Sequence, residues 1–149
     1  MEAKTVHNEN KTICIKNAKR ISKPALQVWN LVKNFGNLKD IVPKMIEAIV
    51  VSGEGAKSHW EVKLLAGGKI RERMTAFNED AMQLGYTMTE TPLPIENYTG
   101  IKKVIPMTKN FCRLEISSNF TTSSANKQEM IDVFELFQKD HLENIRYLI

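Results

Sequence analysis

Cysteine, histidine and long apolar runs are all scarce in this 149-residue chain, and each scarcity excludes something. Cys14 and Cys112 stand in neither a CxxC pair nor a metal-type spacing, so two buried thiols in a reducing compartment are expected. His7, His59 and His141 assemble no metal set, and neither a metal nor any other cofactor is expected. No apolar stretch approaches the roughly 20 residues of a membrane span. Residues 1–10, with Glu2, His7 and Glu9, do not form a signal peptide. These absences predict a cytoplasmic protein with no stable membrane insertion.

Charge of one sign is not concentrated either. The net charge is +4, from 21 Lys and Arg against 17 Asp and Glu. The densest basic clusters are Lys69-Ile70-Arg71-Glu72-Arg73, broken by a glutamate within a strand pattern, and Lys102-Lys103. Neither makes the basic stripe that nucleic acid requires, so no nucleic-acid partner is expected. There is no P-loop, dinucleotide fingerprint, nucleophile elbow, repeat or low-complexity segment.

What is present is periodicity. After a loose leader over residues 1–10, residues 11–21 alternate Ile13 and Ile15 against Thr12, Cys14 and Lys16, a strand pattern. Ser22-Lys23-Pro24 offers an N-cap with proline in the first turn. Ala25, Val28, Trp29 and Val32 then recur at helical spacing up to Asn34-Phe35-Gly36, and a second short helix over 37–42 is closed by Pro43. From Met45 the period becomes two. Strands are predicted over 46–51, 58–65, 70–77, 83–89, 98–105 and 111–120, with Gly67-Gly68 supplying the positive φ of a tight hairpin. Ser123 to Asn126 caps a final amphipathic helix over 127–149. Met130, Phe134, Phe137, His141, Ile145 and Leu148 share one of its faces.

One strand, two short helices, six consecutive strands and a long helix make an α+β fold with an antiparallel sheet. One helix cannot close a curved sheet everywhere, so a cavity is expected between them. The alternation Val62, Leu64 and then Ile70, Glu72, Met74, Ala76 points those side chains inward, while Arg71 and Arg73 face out. An inward Glu72 is a carboxyl in apolar surroundings, with a raised pKa, suited to hydrogen bonding or to general acid–base work. Met45, Met74, Met88, Met107 and Met130 suit an adaptable lining. Trp29 and Trp60 read as packing residues, and His59 lies on an outer strand face.

Three stretches resemble a known family. They are Ile21-Ser22-Lys23-Pro24-Ala25 with Val28-Trp29 and Phe35-Gly36, Gly67 to Arg73 with Ala76-Phe77-Asn78, and Leu84-Gly85-Tyr86-Thr87 through Pro92-Leu93-Pro94 to Asn97-Tyr98. In order and spacing they look like the SRPBCC superfamily, the START and birch-pollen-allergen-like helix-grip proteins, in its bacterial polyketide cyclase/dehydrase-like branch. The resemblance implies one helix-grip ligand-binding domain over 11–149. In it a curved seven-stranded antiparallel sheet wraps the long C-terminal helix around an apolar cavity. It is also similar, more distantly, to the plant abscisic-acid receptors. By that match Glu72, Tyr86, Met88 and Tyr98 face the cavity from the sheet, and Val133, Phe137 and His141 from the helix. The receptors' gate is replaced by Leu65-Ala66-Gly67-Gly68 and their latch by Leu93-Pro94-Ile95. Their anchoring lysine falls at or beside Pro43-Lys44. A hormone-receptor role is therefore not expected.

The expected ligand-binding set is Val62, Leu64, Ile70, Glu72, Met74, Tyr86, Met88, Leu93, Tyr98, Val133, Phe137 and His141, with the tyrosine hydroxyls satisfied by Glu72 or a water. The expected ligand is a small apolar or amphipathic molecule, lipid- or polyketide-like, bound by a monomer or homodimer. An enzyme of the cyclase or dehydratase type is the alternative, with Glu72 and His141 as the acid–base pair and Tyr98 orienting the substrate. A protein-interaction module using the loop over 91–97 is the third reading.

Overall fold

A computed structural model of the protein describes residues 10–149, so residues 1–9 of the expected leader lie outside the described residues, and its last residue, Asn10, begins the first strand. β1 (Asn10–Ile21) is followed by α1 (Ala25–Val32), a tight helical turn (Phe35–Asn37) and the single-turn α2 (Leu38–Ile41). Six strands follow: β2 (Ile46–Ser52), β3 (His59–Leu64), β4 (Lys69–Asn78), β5 (Gln83–Glu90), β6 (Glu96–Thr108) and β7 (Phe111–Ser123). The chain then forms α3 (Lys127–Asn144) and one further turn (Ile145–Tyr147). All neighbouring strands are antiparallel, in the order β1-β7-β6-β5-β4-β3-β2. β1 and β2 are thus opposite edges of one curved sheet, and α1 and α2 carry the chain from one edge to the other. This is the α+β architecture expected from the strand count, in the helix-grip form that the resemblance implied.

The local breaks have local causes. Pro24, which has no N–H to lose, stands immediately before α1, and its carbonyl accepts from Gln27 and Val28 at 3.1 and 3.3 Å. Ser22 does not cap this helix. α1 stops at Val32, before the Asn34 carboxamide, which accepts from Gly36 N at 2.9 Å. α3 also ends earlier than its periodicity suggests, at Asn144, whose side chain donates to the Ile41 carbonyl at 2.9 Å and ties the helix end to α2.

α3 buries Met130, Phe134, Gln138, His141 and Leu142, with Ile145 beyond its end, whereas Leu148 is 40% exposed. Gln138 belongs to that face because its polar atoms are satisfied. Its Nε2 donates to the Ile15 carbonyl and to Ser118 Oγ, each at 3.0 Å, and its Oε1 accepts from Asn17 at 2.8 Å. One side chain therefore ties α3 to β1 and β7. Cys112 is buried as expected, but Cys14 is exposed, since it alternates with the inward Ile13 and Ile15 on β1. Ala76, expected inward, is exposed, because the β4–β5 register shifts between Met74 and Ala76 and the next side chain, Phe77, turns to pack on Trp29.

Candidate functional site

Between the sheet and α3 lies a cavity of about 370 Å³. β3 and β4 contribute Val62, Leu64, Ile70 and Glu72 to its wall, and β5 and β6 contribute Tyr86, Met88 and Tyr98. Leu93 borders it from the β5–β6 loop, and Val133 and Phe137 from α3. Each of these was singled out by strand alternation or by family resemblance. Met74 and His141 were also expected there and do not border it. Both point inward but are enclosed in the packed core, Met74 at 4% and His141 at 0% exposure. Of the remaining methionines in the expected lining, Met45 borders the cavity, Met130 is core, and Met107 is 55% exposed.

The α2–β2 segment contributes Leu38, Lys44, Met45 and Ile46 to the wall, and α3 adds Phe134 and Leu136. Of these, only Met45 was expected in the lining, and Lys44 stands where the resemblance put the receptors' anchoring lysine. The available signal for the segment was its apolar content on both sides of Pro43. Lys44 borders the cavity while remaining exposed, so it stands at the opening.

A chain of aromatic rings runs from behind the cavity wall onto it, with Tyr86, Tyr98 and Phe134 on the wall itself. Phe35 stacks on Trp60 with centroids 3.9 Å apart and meets Tyr86 edge-on at 5.0 Å. Tyr86 lies 5.9 Å from Tyr98, which stacks on Phe134 at 5.3 Å. Tyr86 fits because residue 100 is glycine: a Cβ there would sit 2.3 Å from Tyr86 Cζ. The Tyr98 hydroxyl pairs with Ser118 Oγ at 3.1 Å, and so joins the Gln138 network rather than Glu72.

Glu72 is paired with Trp60, whose Nε1 donates to Oε1 at 2.8 Å. Trp60 is thus a partner of the carboxyl as well as a packing residue. Burial raises the Glu72 pKa to about 7, against the lowering effects of the Trp60 hydrogen bond and the charge of Lys102. Lys102 is the residue that sequence reasoning missed. The sequence shows it only as half of the basic pair Lys102-Lys103, yet it is 1% exposed, with Nζ 4.2 Å from the centroid of the Phe35 ring. Burial lowers its pKa to about 7, opposed by the charge of Glu72. The signal was there in the period of two: Tyr98, Gly100, Lys102 and Val104 alternate on one face of β6, and all four are buried.

His141 is held well below its ordinary pKa by burial and then by the charge of Lys102, so it is neutral. Neither ring nitrogen has a hydrogen-bond partner among the described residues. Glu72 borders the cavity and His141 does not, so the two expected acid–base partners are not both open to its contents. Among the described residues no three His, Cys, Asp or Glu side chains gather in a group able to hold a metal. No described helix is long and apolar enough to cross a membrane.

Residues 12–148 match the family model described as polyketide cyclase/dehydrase and lipid transport. The chain belongs to this family. A search of curated proteins returns no match. Among solved structures, the protein XoxI from Bacillus cereus is 25% identical, with a TM-score of 0.80 over 91% of this chain and 94% of that one. The Zhui aromatase/cyclase from Streptomyces is 16% identical, with a TM-score of 0.79 over 91% and 92%. Norcoclaurine synthase from Thalictrum flavum, in complex with dopamine and hydroxybenzaldehyde, is 18% identical, with a TM-score of 0.71 over 96% and 90%. The last two likenesses, at such low identity, show the fold of this cyclase/dehydrase and lipid-transport family member.

Proposed function

We propose that the protein binds a small apolar or amphipathic molecule, lipid- or polyketide-like, in the cavity between the sheet and α3. The observation that carries this reading is the wall itself: aliphatic and aromatic side chains around about 370 Å³, interrupted by Glu72, two tyrosines and Lys44 at the opening. A mostly apolar pocket with a few fixed polar groups is the usual form of a small-molecule site. The ring chain from Trp60 to Phe134 keeps the inner wall shaped in advance, which lowers the ordering cost of binding. Family membership supports the same reading. Solvent extraction and mass spectrometry of the purified protein should recover a lipophilic molecule, or a lipophilic library should raise its Tm. Recovery of none, together with no shift across the library, contradicts the proposal.

Cyclase- or dehydratase-type catalysis is the second reading, and Glu72 favours it. A cavity carboxyl with a pKa of about 7 is poised to take or give a proton near neutral pH. On this reading Glu72 acts without a His141 partner on the wall. Glu72→Gln should then abolish turnover of a polyketide-like substrate while leaving its binding largely intact. Unchanged turnover removes the acid–base role.

A further inference from the structure

The cavity is closed at one end by packed core. On β4, Ile70 and Glu72 border it, while the next inward residue, Met74, is enclosed. On β3, Leu64 and Val62 border it, while Trp60, opposite Glu72, is enclosed. On α3, Phe137 borders it, and His141, one turn further on, does not. At the other end Lys44, Ala66 and Leu136 border it and are exposed. Glu72 therefore stands at the inner end, and the opening lies on the side of Lys44.

Glu72 brings an uncommitted acceptor to that end. Its Oε1 accepts from Trp60 Nε1 at 2.8 Å, which fixes the carboxyl on the wall. Among the described residues no hydrogen bond or ion pair engages Oε2. The enclosed side-chain atoms left without a partner are Asp140 Oδ2 and the two nitrogens of His141, so Oε2 is open, and it opens onto the cavity that Glu72 borders. Its wall neighbours are apolar: Met88 across the β4–β5 pair, Ile70 along the strand and Val62 opposite Ile70. Of the tyrosines on the wall, Tyr98 already pairs its hydroxyl with Ser118, and Tyr86 lays its own over Gly100, where a Cβ would be 2.6 Å from it.

We infer that the ligand is a neutral apolar molecule carrying one hydroxyl, bound with that hydroxyl at Glu72 Oε2 and its apolar body extending toward Lys44 and Leu136. The inference rests on the ligand-binding reading and names the ligand's chemical class and orientation. The match is one of counts. A hydroxyl has one hydrogen to place, and Oε2 accepts it; when Glu72 is protonated, the same hydroxyl oxygen accepts from the carboxyl. A ketone only accepts, so it suits the protonated carboxyl alone. An ammonium brings three donors to one free oxygen, and a carboxylate brings a negative charge to a group that is itself partly ionised near neutral pH. Burying either ion among Val62, Ile70 and Met88 costs far more than burying a hydroxyl.

Calorimetric titration of the full chain with 1-octanol, 2-octanone, octanoate and octylamine at about pH 8, where Glu72 is mostly ionised, tests this. Octanol should bind at least about tenfold more tightly than octanone, and both ions more weakly than octanol. Glu72→Gln leaves a carbonyl oxygen for the Trp60 N–H and turns an amide donor to the cavity, so octanone should then bind about as well as octanol. In wild-type protein, without any substitution, octanol should shift the Glu72 side-chain carboxyl ¹³C resonance more than octanone does at equal occupancy. Equal binding of octanol and octanone by wild type overturns the inference. So does a preference for octanol that survives Glu72→Gln, a Glu72 resonance indifferent to octanol, or an ion that binds more tightly than octanol. Each of those results leaves the ligand-binding reading standing. If none of the four binds, that reading falls as well.

Discussion

Trp60 and Glu72 face each other across the β3–β4 pair, and the indole N–H donates to the carboxyl at 2.8 Å on the wall of the cavity. The bond stabilises the charged form of Glu72, while burial opposes it more strongly. Trp60→Phe keeps an aromatic ring against Phe35 and removes the donor. The Glu72 pKa should therefore climb above 7, read from the ¹³C shift of its side-chain carboxyl against pH. A fall in that pKa would contradict the assigned balance.

Glu72 also writes a pH dependence into stability. Its folded pKa is about 7 against an ordinary 4.5, so between those values the native chain keeps a proton that the unfolded chain has released. Stability therefore falls as pH rises through this window, by about 3 kcal/mol for a shift of this size. Lys102 acts above it. Its pKa falls from 10.5 to about 7, so the unfolded chain holds the extra proton there and stability rises with pH. His141, kept neutral, adds a rising slope below its ordinary 6.5, opposite in sign to that of Glu72. The comparison with Glu72→Gln isolates the carboxyl. Denaturant titrations should show wild type losing stability relative to the variant from about pH 4.5 to 7. Parallel curves would remove the raised pKa.

Gln138 joins α3 to two strands through three hydrogen bonds in the interior. Gln138→Leu matches it roughly in volume but strands the Asn17 amide and the Ile15 carbonyl. A loss of about 2–3 kcal/mol is expected, seen as a lower denaturant midpoint with an unchanged m-value. A neutral effect would mean that water replaces the network at no cost.

Gly100→Ala places a methyl group 2.3 Å from Tyr86 Cζ and forces the ring off the wall. The cost should be about 1–3 kcal/mol, as for other overpacked cores. In a Tyr86→Leu background the same substitution should cost much less, because the atom it meets is gone. Additive costs in the double variant would show that residue 100 needs glycine for some other reason.

Much of this was legible in the sequence, and the exceptions share a cause. Alternation of period two and turn chemistry located all seven strands, and the alternation through Ile70 and Glu72 turned the carboxyl inward as the structure has it. Patterning fails where a polar residue is buried because its partners come from distant elements. Gln138 finds Ile15 and Asn17 more than 120 positions away, and no local signal announces them. Lys102 was hidden by the cationic neighbour that made it look like surface. His141 was correctly placed on the buried face of α3, but a buried face meets packed core along part of its length and the cavity along another. Helical period cannot tell these apart.

The most direct test of the central claim is a methyl-resolved ¹H–¹³C NMR titration with 1-octanol, run on wild type and on Met88→Trp. Shifts should concentrate at the cavity residues Leu64, Met88, Leu93 and Val133, with the distant Val28 and the surface Leu26 silent. Met88→Trp should fill the space and abolish them while the protein stays folded. Shifts absent from the wall, or unchanged in the filled variant, would contradict a ligand site between the sheet and α3.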